Sequence, residues 1–358
     1  LNNQEKGYQQ EQDSKVKKYL NPKAINRGII LFVIITLISF TVLFLYTNTG
    51  ETLEAFKQIQ IKFIFFALSL AFLDWWLGGM RNHIFARLIK PGISQRVCWD
   101  ANLANIFIGA VTPSQTGGGP AQLYVLHRRG IKLADGIAIS VINFISTLIF
   151  FPVSAGLAFY ILRNQEIDPT LYLFIKSGFF FFTTVFIVIL ISLIIPKKMG
   201  VVIDLLADFI GRFSKNAMLK TKAANVKITA QLLSYHDTMI LFLRKKPHLL
   251  ILSLVMTFVM YFNKYSIAFV LLLGLGINAD FLTVIAIQAL IFFILYFAPS
   301  PGGSGIAELA IALLMAQIIP DSMLTSFTLL HRAFLLFIPA IIGAFIMLRE
   351  LKKHSAKT

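Results

Sequence analysis

From residue 29 onward the chain alternates long apolar runs with short polar, basic stretches. Residues 29–46 are uncharged throughout, and at about 1.5 Å per residue such a run crosses the hydrocarbon core of a bilayer. Further apolar runs occupy 61–80, 134–162, 170–195, 248–273 and 324–348. The pattern predicts six full crossings. The polar leader 1–28 is longer than a signal-peptide n-region and no small-residue cleavage site follows, so the first run reads as a retained anchor.

Two apolar stretches break too early to cross. Residues 99–111 run into TPSQTGGGP at 112–120, and a short segment continues to His127. Residues 281–297 run into APSPGGS at 298–304, followed by 305–319. Proline removes a backbone donor, and glycine tolerates conformations that a helix does not hold. At membrane depth a break needs protein or water around the freed backbone. The spacing therefore predicts two re-entrant hairpins, 99–127 and 281–319. The expected fold is an all-α polytopic membrane protein. Its segments are a basic leader 1–28, a first membrane repeat 29–162, a fourth span within 163–195, a basic linker 196–247, the remaining second repeat 248–348, and a tail 349–358. Within the linker, 201–213 is amphipathic at helical spacing, which fits a helix on the membrane surface or a solvated one.

Composition sharpens this picture. The chain is 57% hydrophobic and 14% charged, with a mean hydropathy of +0.74, which excludes a disordered, collagen-like or disulfide-stapled protein. Its net charge is +16. With the N-terminus inside, 27 of the 33 Lys and Arg residues fall in inner segments and four in outer ones. This is the positive-inside bias rather than a nucleic-acid footprint. It puts both termini in the cytoplasm, and counting either hairpin as a single crossing would reverse the sides of later basic loops.

The two breaks resemble each other. PSQTGGGPAQL (113–123) aligns without gaps on PSPGGSGIAEL (299–309), pairing Gln122 with Glu308. Each break follows two crossings and precedes one, so the second copy would be inverted, as in transporters whose broken helices form the substrate site. Ionisable groups within the membrane are costly. Lys264, Arg332 and Glu308 lie about 12–16 Å below the outer surface by helical rise. Two readings stand: a structural Glu308–Arg332 pair, or a cationic recess of Arg332, Lys264 and Glu308 for a phosphate head group. In the second, Ser300, Gly302, Gly303, Ser304 and Gly305 frame a half-helix N-terminus, and Gly117, Gly118, Gly119 and Gln122 frame the other break. Asp74 lies toward the inner side beside Trp75 and Trp76; Arg128 and Arg129 read as inner-side anchors. The glycine runs lack the Lys-Ser/Thr of a phosphate loop, and no metal-site spacing or G-x-S-x-G elbow occurs. No cofactor, metal or catalytic residue is expected.

PSPGGSGIAEL with LLHRAFLLFIPAIIGAF (329–345), together with VTPSQTGGGPAQLYVLHRRGI (111–131), resembles the lysylphosphatidylglycerol synthase transmembrane-region family. That family includes the flippase part of the multiple peptide resistance factor. The resemblance covers about residues 25–350. It implies that the glycine-rich motifs map onto Pro113 to Gln122 and Pro299 to Glu308, and the family's membrane arginine onto Arg332. It implies a lipid-handling protein of the cell membrane. The short stretch after the last run leaves the family's soluble lysine-transferring domain unexpected here. The expected function is flippase-like transport of a phosphate-bearing, in some forms aminoacylated, lipid. The alternatives are the membrane component of a lipid-modifying enzyme and a secondary transporter for a small anion. A membrane phospholipid is the expected partner. A second copy of the chain and a separate synthase or transferase subunit stand as further candidates.

Overall fold

A computed structural model describes residues 22–46, 57, 59–163, 169–194, 247–296 and 298–355, with 201, 204–205, 207–209, 221, 240 and 244 between them. The leader to residue 21 and most of the linker lie outside the described residues; of the helix expected over 201–213, the described positions 201, 204–205 and 207–209 are helical. Those described are helical, without a strand. The helices are α1 (Pro22–Tyr46), α2 (Ile61–Ile89), α3 (Gln95–Ala110), α4 (Gly118–Arg128), α5 (Leu133–Ile161) and α6 (Pro169–Ile194). They continue with α7 (His248–Gly274), α8 (Phe281–Tyr296), α9 (Ile306–Met315), α10 (Asp321–Arg332) and α11 (Ile338–Ser355).

Among the described residues, five stretches are long and apolar enough to cross a membrane: Ile25–Leu45, Ile61–Ile89, Leu133–Ile161, His248–Gly274 and Asp321–Leu351. The last joins α10 to α11 through a widened π turn, Ala333–Phe337. Pro339 follows directly and has no N–H to return to the carbonyl four residues back, so the chain widens where a regular turn cannot close. Where a fourth span is expected, α6 is a 26-residue helix. Two ends differ from expectation. α2 continues past residue 80 to Ile89, and the expected tail from 349 is the end of α11. Asp280 caps α8, its carboxylate accepting the Thr283 N–H at 2.8 Å and hydroxyl at 2.9 Å; these bonds hold it below the usual carboxylate range.

The outside is greasy and the inside partly polar. Leu45, Phe65, Phe180, Ile251 and Phe345 are each more than half exposed, while Asn82, Gln122, Asn143, Gln288, Glu308 and Arg332 are buried. That inversion suits lipid as the surrounding solvent. Inside, α2 lies along α7, α3 packs on α4 and α11, and α5 packs on α8. Phe150 stacks on Tyr261 at 4.7 Å between ring centres, and Phe182 on Phe293 at 5.1 Å, docking α5 on α7 and α6 on α8. α3 and α11 touch backbone to side: a Cβ at Gly343 would meet the Leu103 carbonyl oxygen and stand 2.8 Å from Phe107 Cβ.

Both expected breaks are helix–turn–helix, and the two turns pack against each other. Their backbones match. Gln115 N–H bonds the Thr112 carbonyl, and Thr116 the Pro113 carbonyl; Gly303 bonds Ser300, and Ser304 bonds Pro301. Ser114 and Gln115 have φ of 51° and 55°, Gly302 and Gly303 of 59° and 67°. This corrects the gapless pairing by two residues. The conformational equivalents are AVTPSQTG (110–117) and APSPGGSG (298–305), so Glu308 at the third position of α9 matches Pro120, not Gln122. Identity scoring was drawn to the glycines, whereas the Thr/Ser-Pro turn start sets the register.

Two outcomes follow. Gly343→Leu overpacks the α3–α11 contact, costing about 1–3 kcal/mol, and lowers the unfolding midpoint in detergent; Gly156→Leu, whose Cβ would meet nothing within 4 Å, leaves it in place. Left-handed backbone costs a side-chain-bearing residue about 1–2 kcal/mol, so Gly302→Ala destabilises while Ser114→Gly stabilises, read in the same assay.

Candidate functional site

The second break is closed by a chain of polar contacts. Gly305, at φ +86°, starts α9 and places Glu308 one turn in. Glu308 Oε2 accepts the Gly305 N–H at 2.6 Å, satisfying a donor that a helix start leaves free. Its Oε1 stands 3.0 Å from Arg332 Nε, an ion pair without the alignment of a hydrogen bond. Arg332 also donates to the Gly302 carbonyl at 3.0 Å and to Ser304 Oγ at 3.4 Å. Ser304 Oγ shares a 2.9 Å hydrogen bond with Thr36 Oγ1 of α1. The Phe337 ring of the π turn lies 5.9 Å from the guanidinium. One arginine thus ties α1, the turn, α9 and α10 together. Ser304, Glu308 and Arg332 are all less than 5% exposed. Ser300 Oγ, buried in the same turn, has no hydrogen-bond partner among the described residues.

Lys264 does not join this cluster. Its ammonium pairs with Asp74 at 3.3 Å across the α7–α2 contact, beside the rings of Tyr261 and Phe292. The expected three-charge recess is therefore two separate pairs. The reason is helix length: with α2 ending at Ile89, Asp74 sits near its middle, level with Lys264, instead of near an inner end. His331 points away from Arg332 and bonds Gln288 Oε1 through Nε2 at 2.8 Å.

Among the described residues, the first break carries no charge pair. Thr112 Oγ1 accepts the Gly117 N–H at 3.0 Å and donates to the Ile108 carbonyl at 2.7 Å. Gly118 is buried against Asn105, with Gly117 and Gly119 half-buried beside it. Pro113 to Thr116 are exposed, whereas Pro301 to Ser304 are buried. Two turns of one backbone shape thus stand in opposite states of cover.

Gln122 belongs to a different feature, a buried amide and hydroxyl network. Its Oε1 accepts from Asn82 at 3.3 Å and Asn105 at 3.1 Å, and its Nε2 donates to Ser140 at 3.1 Å. Asn143 donates to Asn82 at 2.8 Å, and Ser253 to Asn143 at 3.2 Å. Beside it Arg81 donates to Thr257 at 3.0 Å and Thr147 at 3.4 Å, and its buried Nε has no hydrogen-bond partner among the described residues. Sequence reasoning counts Arg81 among inner-surface cations and passes over the amides. The available signal was Asn143, Ser253 and Thr257 within otherwise apolar runs, together with an apolar pattern that resumes after Arg81.

Residues 29–343 match the family described as the lysylphosphatidylglycerol synthase TM region. The chain is also 23% identical over 300 residues to a UPF0104 membrane protein of Archaeoglobus fulgidus, covering 83% of this chain and 88% of that protein. The matched span contains both breaks, the Asp74–Lys264 pair and the Arg332 cluster, and the apolar helices make this a multi-pass membrane protein. The chain belongs to the lysylphosphatidylglycerol synthase TM region family.

Proposed function

We propose that this protein is a lipid flippase-like transporter that carries a phosphate-bearing lipid across the cytoplasmic membrane, with both termini inside. In this reading α6 is the fourth of six crossings, the two helix–turn–helix units are re-entrant hairpins, and the halves form an inverted repeat. Reciprocal packing supports the repeat: α3, before the first turn, rests on α11 at the end of the second half, and α8, before the second turn, rests on α5 at the end of the first. The observation that carries the function is the unequal cover of two matching turns, one exposed and one buried under Arg332. Exchange of those two states is what alternating access requires of an inverted pair.

Arg332 has the chemistry for the exchange. A guanidinium fork binds a phosphate through two parallel hydrogen bonds. In the closed state those donors serve Gly302, Ser304 and the Glu308 carboxylate. A phosphate reaching the turn competes for them, and release of Gly302 and Ser304 frees the turn from α10 and α1. Acyl chains stay in the lipid that bathes the apolar outer face.

Glu308→Gln preserves shape and the Gly305 cap but removes the charge that holds Arg332. In vesicles carrying a head-group-labelled phosphatidylglycerol, this variant and Arg332→Gln are expected to lower translocation at least tenfold. Folding is checked by size-exclusion profile and unfolding midpoint, because breaking a buried pair costs about 3–5 kcal/mol. Folded variants that translocate at the wild-type rate would refute the assigned roles.

A further inference from the structure

The basic end of the bundle holds a second charged feature, away from both turns. Ser94 precedes α3, Arg96 lies in its first turn, Arg129 ends α4, and Arg349 lies near the end of α11. With Val97 and Asp100 they line a cleft of about 290 Å³. That volume suits one polar head group rather than a whole lipid. Arg349 bonds Asp100 Oδ2 at 2.6 Å and lies 3.6 Å from Glu350; Arg129 bonds Glu350 Oε1 at 2.8 Å. Lys90 Nζ bonds the Arg129 carbonyl at 2.6 Å at the edge of the same group.

These contacts leave much of the donor capacity unused. A guanidinium has five N–H donors. Arg129 and Arg349 engage their carboxylates through one terminal nitrogen each, and Arg349 Nε is buried without a hydrogen-bond partner among the described residues. Arg96 is exposed and makes no ion pair or hydrogen bond among the described residues. Three arginines face two carboxylates, so the cleft keeps a net positive charge. Ser94 makes no side-chain cap to α3, so the positive end of a 16-residue helix begins beside Ser94 and Arg96, with the Val97 N–H taken by the Ser94 carbonyl at 3.1 Å.

We propose that this cleft binds a phosphate group, held by Arg96, Arg129 and Arg349. A lipid head group and a free phosphate share that chemistry. The site stands on its own geometry and draws from the transport reading only the class of ligand. Its occupation also tightens the contact among α3, α4 and α11, the three helices whose arginines would share one anion.

The test is equilibrium binding without transport. Protein in phosphatidylcholine nanodiscs is titrated with short-chain phosphatidylglycerol and, separately, with inorganic phosphate, and binding is read as a saturable rise in unfolding midpoint. Binding of the lipid alone assigns a head-group site; binding of inorganic phosphate as well assigns a general phosphate site. Arg96→Glu is expected to weaken either by about tenfold or more, while Arg87→Glu, exposed on α2 outside the cleft, leaves it unchanged. Arg96 has no partner to lose, so an unliganded midpoint equal to wild type verifies the fold. Absence of binding by the wild-type protein, or undiminished binding by Arg96→Glu, overturns the proposal. Either result leaves the Glu308 and Arg332 translocation test intact, and failure of that test leaves this one standing.

Discussion

A helix interrupted inside an apolar slab exposes peptide groups that lipid cannot satisfy. Three polar side chains around the second break answer that constraint. Glu308 takes the Gly305 N–H, Arg332 takes the Gly302 carbonyl, and Ser304 bridges to Thr36. The ion pair between Glu308 and Arg332 is what allows both to be buried, since each charge without the other would be strongly destabilising there. The pair, the turn and the docking of α1 on that turn stand or fall together.

The first break meets the same constraint with neutral groups. Thr112 satisfies Gly117, and exposure at Pro113 to Thr116 leaves the remaining peptide groups accessible. Ser114 and Gln115 hold left-handed backbone that their counterparts Gly302 and Gly303 hold without a side-chain penalty. One turn is therefore strained and open, the other relaxed and clasped. Two turns of matching backbone thus differ both in local strain and in the contacts that hold them.

Other polar groups bridge the bundle: Asp74 with Lys264, Arg81 with Thr147 and Thr257, and the network around Asn82, Gln122 and Asn143. They join α2, α5 and α7 with directional contacts where lipid-facing sides offer only apolar packing. In a bilayer such hydrogen bonds and close backbone contacts, like that at Gly343, carry much of helix association.

The sequence by itself determined the all-helical, multi-pass class, the places of the two breaks and one reading of its charges, the Glu308–Arg332 pair. Apolar run length, Pro-Gly punctuation and isolated charges are local signals, and the physics behind them acts over a few residues. Only the tertiary structure decided which charges meet. Lys264 went to Asp74 because α2 is longer than its uncharged part, and Arg81 turned inward because Thr147 and Thr257 on other helices offered it oxygens. The register between the two turns and their unequal cover were equally beyond the reach of the sequence. Backbone dihedrals and burial arise from contacts between residues far apart in the chain, and composition at either break does not encode them.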